Sequence, residues 1–143
     1  MKVRHLIFLL MVTAFSTPRV VEAQSGDWVN EGTLVRQGDV SLDPTTMRPY
    51  TGRVFKFDNA DPSKVWWTYS MKDGLRHGPY EIYYKNGQLM WREVYSNGKL
   101  HGLYESYYEY GRLRGKGNYS NGEKCGEWIE EGEAVTYDPC PSN

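Results

Sequence analysis

The sequence predicts an all-β fold, a single-layer, twisted antiparallel meander built from 24-residue β-hairpin repeats. Three observations carry that expectation: an internal duplication, a regular series of turn dipeptides, and a period-two alternation between the turns. Composition points the same way. Aromatic residues make up 15% of the 143-residue chain and there are 15 glycines. Such a mix is too aromatic for a disordered chain and too rich in glycine for a helical bundle. It suits many short strands joined by tight turns within one domain.

The duplication is direct. Leu75–Gly98 and Lys99–Gly122 are each 24 residues long and agree at 12 positions. The shared residues include His77/His101, Gly78/Gly102, Tyr80/Tyr104, Glu81/Glu105, Tyr83/Tyr107 and the closing Tyr-Ser-Asn-Gly. A third copy begins at Glu123, with Gly126 and Trp128 in register with Gly102 and Tyr104. A degenerate copy comes first. Tyr50-Thr51-Gly52 opens it, Trp66-Trp67 matches Met90-Trp91, and Lys72-Asp73-Gly74 closes it.

The turns define the hairpins. Asp73-Gly74, Asn86-Gly87, Asn97-Gly98 and Asn121-Gly122 suit type I′ turns, which need positive φ at both central residues. Tyr110-Gly111 fills the remaining slot less well. Between turns, the alternation assigns faces. Tyr80, Ile82 and Tyr84 share one face, as do Tyr104, Ser106 and Tyr108, with Leu89, Trp91, Tyr95, Leu113 and Tyr119 expected beside them. The other face carries Glu81, Lys85, Arg92, Glu105, Glu109, Arg112, Arg114 and Lys116, where opposite charges can pair across strands. Tyr83 and Tyr107 fall on that polar face. Gly115 and Gly117 stand where the previous unit has Trp91 and Glu93, and Ile129 where a Glu would repeat, so the last strands should be less regular.

Repeat arrays need covered ends, because an open strand edge recruits other chains. Residues 24–48 are expected to cap one end, with Trp28 and Leu34 covering apolar surface. The tail from Cys125 to Cys140 should cap the other, with 132–143 as the C-terminal tail. In an oxidising compartment this cysteine pair reads as a disulfide, against two free thiols or an intermolecular bridge.

The first 23 residues read as a secretory signal. Lys2, Arg4 and His5 precede an apolar run from Leu6 to Phe15, and Val21-Glu22-Ala23 before Gln24 makes an A-x-A-like cleavage site. The run falls short of the ~20 residues that a permanent membrane helix needs. No Cys follows the cleavage point to take a lipid anchor. Export to a periplasm or beyond the cell is therefore expected. Loss of Lys2, Arg4, Arg19 and Glu22 leaves 14 basic against 17 acidic side chains, a net charge of −3. A mildly acidic chain argues against a nucleic-acid partner.

The pattern His-Gly-x-Tyr-Glu-x-Tyr-Tyr-x-x-Gly-x-Leu, followed by Tyr-Ser-Asn-Gly, resembles the bacterial MORN-repeat variant of YwqK-like proteins over residues 49–131. Pro49-Tyr50-Thr51-Gly52-Arg53-Val54 is similar to the opening of the first repeat in such proteins. The resemblance implies a hairpin-repeat sheet and brings no catalytic residue and no named partner. Members are often labelled antitoxins, an immunity-type binding role that sits awkwardly with an export signal.

Chemistry is not expected. His77, His101 and Cys125 share one column of the repeat. Their positions lie two strands apart, about 9.6 Å at ~4.8 Å per strand, too far for one zinc ion. Glu81 and Glu105 are separated the same way and read as solvated surface charge, since a single-layer sheet offers no deep cleft. No nucleophile elbow, phosphate loop or zinc-protease helix is present, and no cofactor is expected. Two binding roles remain. The first is a protein-interaction module of the cell envelope, with Trp66, Trp67, Tyr83 and Tyr107 as aromatic anchors. The second is a binder of anionic lipid surfaces, for which Arg92, Arg112, Arg114 and Lys116 would supply a basic stripe.

Overall fold

The computed structural model describes residues 28–142. The export signal expected over 1–23, and the start of the capping segment, lie outside the described residues. Eleven strands are present among the described residues: β1 Trp28–Asn30, β2 Val35–Gln37, β3 Val40–Leu42, β4 Gly52–Phe57, β5 Val65–Lys72, β6 Leu75–Tyr83, β7 Leu89–Ser96, β8 Lys99–Tyr107, β9 Leu113–Ser120, β10 Glu123–Glu130 and β11 Glu133–Thr136. Nine of them form one sheet in the order β1-β4-β5-β6-β7-β8-β9-β10-β11. From β4 onward it is an antiparallel meander, as the sequence predicts. At the other edge β1 joins β4 in parallel, and β2 and β3 make a separate hairpin.

Two kinds of turn alternate. Asp73-Gly74, Asn97-Gly98 and Asn121-Gly122 have positive φ at both residues, the type I′ geometry. Asn86-Gly87 and Tyr110-Gly111 do not: only the glycines, at φ 85° and 81°, are left-handed. These belong to wider loops, closed by Tyr84 N–H to Gln88 O and by Tyr108 N–H to Arg112 O, both 2.8 Å. The residue before glycine is thereby relieved of any need for positive φ. That corrects the expectation of a type I′ turn at Asn86 and explains why Tyr110 serves in the same slot.

Each hairpin also carries two bulges, which the alternation alone does not reveal. Lys56 pairs with Trp67 but Phe57 with Val65, so Trp66 is inserted in β5. Met90 and Arg114 are inserted in the same way, each 24 residues beyond the last. A second irregularity falls around Gly78, Gly102 and Gly126, whose φ values are 93°, 113° and 69°. The repeated His-Gly or Cys-Gly dipeptide therefore supplies a left-handed bulge residue, a conformation nearly closed to other residues.

The main core lies on one face at the β4–β7 end. Val54 has no exposed surface, and Tyr50, Trp67, Tyr69, Met71 and Ile82 are buried around it. Cross-strand partners share a face, which brings Val54, Tyr69 and Tyr80 together and places Trp67 beside Ile82 and Trp91. Val29 and Leu34 from the capping segment pack on this cluster. The β2–β3 hairpin is sewn over it by Ser41 N–H to Gly74 O and Tyr50 N–H to Ser41 O, both 2.9 Å. Trp28, expected to cover apolar surface there, is on the opposite face beside Phe55, with ring centroids 6.4 Å apart.

A smaller core closes the far end. Trp128 is buried between Tyr104, stacked at 5.6 Å, and Tyr119, edge-on at 5.1 Å. Its indole N–H donates to the carbonyls of Cys125 and Asn118 at 3.1 and 3.2 Å. The ring lies directly on Gly117, where an added Cβ would stand 2.0 Å from it. The break in the repeat at Gly117 thus makes room for Trp128 from the neighbouring strand. β11 pairs with β10, and a Cys125–Cys140 disulfide, 15 residues apart in sequence, ties the segment beyond β11 to this nest.

Gly117→Val should lower the unfolding free energy by about 3 kcal/mol, because the rigid indole has no free volume to retreat into. Urea unfolding followed by Trp fluorescence measures it. Cys140→Ser should cost about 3 kcal/mol by releasing a loop of that length, which thermal unfolding of the oxidised and variant proteins would show.

Candidate partner-binding face

The face opposite the core is built by one register line. Phe55 pairs with Thr68, Thr68 with Glu81, Glu81 with Arg92, Arg92 with Glu105, Glu105 with Lys116, and Lys116 with Ile129. Every member shares a face with its neighbour, so a row of alternating charge crosses the sheet between two apolar ends.

The charges are paired along that row. Arg92 holds Glu81 with Nε at 2.7 Å and a terminal nitrogen at 2.6 Å from the same oxygen. The other Glu81 oxygen accepts from the Tyr83 hydroxyl at 2.6 Å and from Thr68 at 3.4 Å. Lys116 sits 3.0 Å from Glu105. Burial pushes the Glu81 carboxyl up, but the Tyr83 hydroxyl and the Arg92 guanidinium outweigh it and hold the group below its ordinary value. Burial and then the Glu81 carboxylate raise the Tyr83 hydroxyl. For Tyr107 burial acts first and the Glu105 charge second, in the same direction. Arg92 is raised chiefly by its hydrogen bond to Glu81. Glu81 therefore stays ionised near neutrality, and opposite charges alternate along the row.

One end of the face is apolar and open. The Trp66 insertion brings Phe57 opposite Val65, and Phe57 packs edge-on against Phe55 at 4.9 Å. Trp28, Phe55, Phe57, Val65, Thr68 and Tyr83 line a shallow depression of about 360 Å³. Trp28 is 50% exposed, and Phe57 and Val65 are each 38% exposed. That is the arrangement of a hydrophobic contact surface with a polar border.

The residues expected from the sequence are distributed unevenly. Tyr83, Tyr107 and Arg92 lie on this face. Trp67 is buried in the core. Trp66, 40% exposed, has the Lys56 ammonium 5.8 Å from its ring, and the same ammonium is 5.9 Å from Trp67 on the core side. Arg112 stacks on Tyr108 at 4.5 Å in its hairpin loop. Arg114, expected on the polar face, is turned to the other by its own bulge and pairs with Glu131 there. The basic stripe is therefore divided between two faces. Leu89 and Leu113, expected beside Trp91, instead pair with Tyr83 and Tyr107 on the charged face for the same reason. Trp28, Phe55, Phe57 and Val65 were not expected at a site. A signal for two of them exists in Arg53-Val54-Phe55-Lys56-Phe57, where the aromatics run out of phase with Val54 and make both faces apolar.

Neither chemical candidate gains a geometry. The His77–His101–Cys125 column is divided, since Cys125 is in the disulfide and His101 Nδ1 accepts the Asn121 N–H at 3.4 Å. The Arg92 side chain stands between Glu81 and Glu105. Among the described residues no helix is long and apolar enough to cross a membrane. No protein-family model matches the chain, and neither a curated protein nor a solved structure matches it.

Because the folded-state carboxyl of Glu81 titrates below its ordinary value of 4.5, its contribution is complete above that pH and is lost as pH falls through the lower, folded value. Glu81→Gln should cost about 1 kcal/mol at pH 7, discounted for solvent access, and progressively less below pH ~4.5. Urea midpoints of wild type and variant at pH 7 and pH 3 give the comparison; a gap that widens on acidification would contradict the assignment.

Proposed function

We propose that this chain is a non-catalytic, exported protein-interaction module of the cell envelope, and that the apolar end of the charged face is its contact surface. The observation that carries the reading is the open cluster of Trp28, Phe57 and Val65 beside Phe55 and Tyr83. Large apolar side chains left in water on a folded sheet are retained where another surface covers them. The adjoining row of satisfied charges gives that surface a polar border, which fixes register more than it adds affinity. Tyr83 joins the two parts, lining the depression while donating to Glu81.

Other observations support export and family. A disulfide between Cys125 and Cys140 is compatible with an oxidising compartment, in keeping with the signal read over residues 1–23. Bulges that recur at 24-residue intervals support the likeness to MORN-type hairpin repeats. An anionic lipid surface is less well served, because the arginines that would meet it are divided between faces and paired with carboxylates or stacked on tyrosine.

Affinity capture from an envelope extract of the source cell tests the reading, with the chain from Gln24 to Asn143 as bait. One protein should be retained stoichiometrically at moderate salt. Its yield should drop at least about tenfold with a Trp28→Ser/Phe57→Ser bait, equivalent to ~1.4 kcal/mol or more. Both positions are exposed, so the bait keeps its fold. Recovery of lipid alone, fading as salt rises, would overturn the proposal, as would protein capture indifferent to the double substitution.

A further inference from the structure

On the core side of the sheet, away from the contact surface above, a cleft of about 400 Å³ opens where the β2–β3 hairpin overhangs β5 and β6. Its size falls within the range of small-ligand sites. Three cations line it from three different elements: Arg36 from β2 on the hairpin wall, Arg76 from β6 on the sheet wall, and Lys99 at the start of β8. Asp39 is the carboxylate in the lining and Glu31 stands at its edge, 3.4 Å from the Tyr69 hydroxyl, so the cations remain in excess by one. The whole chain carries −1.

The three cations differ from those of the charged row and the β10 end. Arg92, Arg114, Lys116 and Lys124 each have a carboxylate within ion-pair distance. Among the described residues Arg36, Arg76 and Lys99 form no ion pair. Arg76 is nevertheless held in place. Its guanidinium carbon lies 5.2, 5.0 and 5.5 Å from the ring centroids of Tyr69, Tyr80 and Tyr95. Ring contacts engage the face of a guanidinium, and one of its N–H groups reaches the Tyr95 hydroxyl. The ordering cost of that side chain is met before any ligand arrives.

The walls indicate the ligand. Met71 and Leu75 provide an apolar floor, and the buried residue Ser41 adds a hydroxyl on the hairpin side. One planar fork on each of two walls matches one planar carboxylate at each end of a short aliphatic chain. We propose that this cleft binds a small aliphatic dicarboxylate, one carboxylate on Arg36, the other on Arg76, with Lys99 at the entrance and the methylenes over Met71 and Leu75.

Isothermal titration of the full chain with glutarate, at low ionic strength and pH 7, tests this directly. One saturable site is expected, with acetate at least about tenfold weaker because it engages a single fork. Arg36→Gln and Lys99→Gln should each weaken glutarate at least about fivefold, and circular dichroism should show the fold retained, since both side chains are exposed. Arg76 is left intact because it is wedged between rings and its loss would disturb the core. Absence of saturation by about 10 mM glutarate, a site weaker than ~3 kcal/mol, would overturn the proposal. So would binding indifferent to both substitutions, acetate equal to glutarate, or inorganic phosphate bound more tightly than either. The Trp28→Ser/Phe57→Ser variant should bind glutarate like wild type, which keeps this site separate from the contact surface.

Discussion

Side chains on a strand alternate with a period of two, so each inserted residue reverses every position beyond it. Insertions at Trp66, Met90 and Arg114 therefore decide which residues share a face in this sheet, whereas the glycine irregularities at Gly78, Gly102 and Gly126 set three residues against one and keep the parity. Between bulges the alternation runs true. Across a bulge it changes sign, which is why Leu89 lies with Tyr83 while Trp91, two residues on, lies with Ile82. The core and the charged row both follow from that parity.

The same device divides the protein's chemistry between two surfaces. On one, Glu81, Arg92, Glu105 and Lys116 neutralise one another along a single register line, which leaves the apolar end around Phe57 as the part with unsatisfied surface. On the other, aromatic rings from successive strands form two runs, Trp67 through Tyr80 to Tyr95 and Tyr104 to Trp128. Cations lie on those rings at both ends, Arg76 on three tyrosines and Lys124 on Trp128. Lys124 has Glu130 as an ion-pair partner, whereas Arg76 forms no ion pair among the described residues.

The ends of the sheet are stabilised by different means. At the β4 edge a three-residue parallel strand covers the backbone of Arg53 to Phe55, and the overhanging hairpin encloses the core. At the β10 edge there is less apolar surface to bury, so a short strand, the Trp128 nest and a disulfide act together. Both devices shorten the edge strand, the usual defence against unwanted pairing.

By itself the sequence determined the fold class, the meander order, the hairpin turns at Asp73, Asn97 and Asn121, and the opposite-charge row through Glu81 and Arg92, and it named Cys125 and Cys140 as a candidate pair that the structure closed. Each of these rests on local rules: turn dipeptides fix φ, and alternation fixes a face within one strand. Tertiary structure alone decided the sides of Arg114, Leu89 and Trp28, the nesting of Trp128 on Gly117, the parallel strand at the edge, and the meeting of Arg36 with Arg76 and Lys99. The reason is physical. A bulge is a property of two strands in register, and a glycine's value as empty space depends on which ring a neighbouring strand lays upon it; neither is encoded in any one segment.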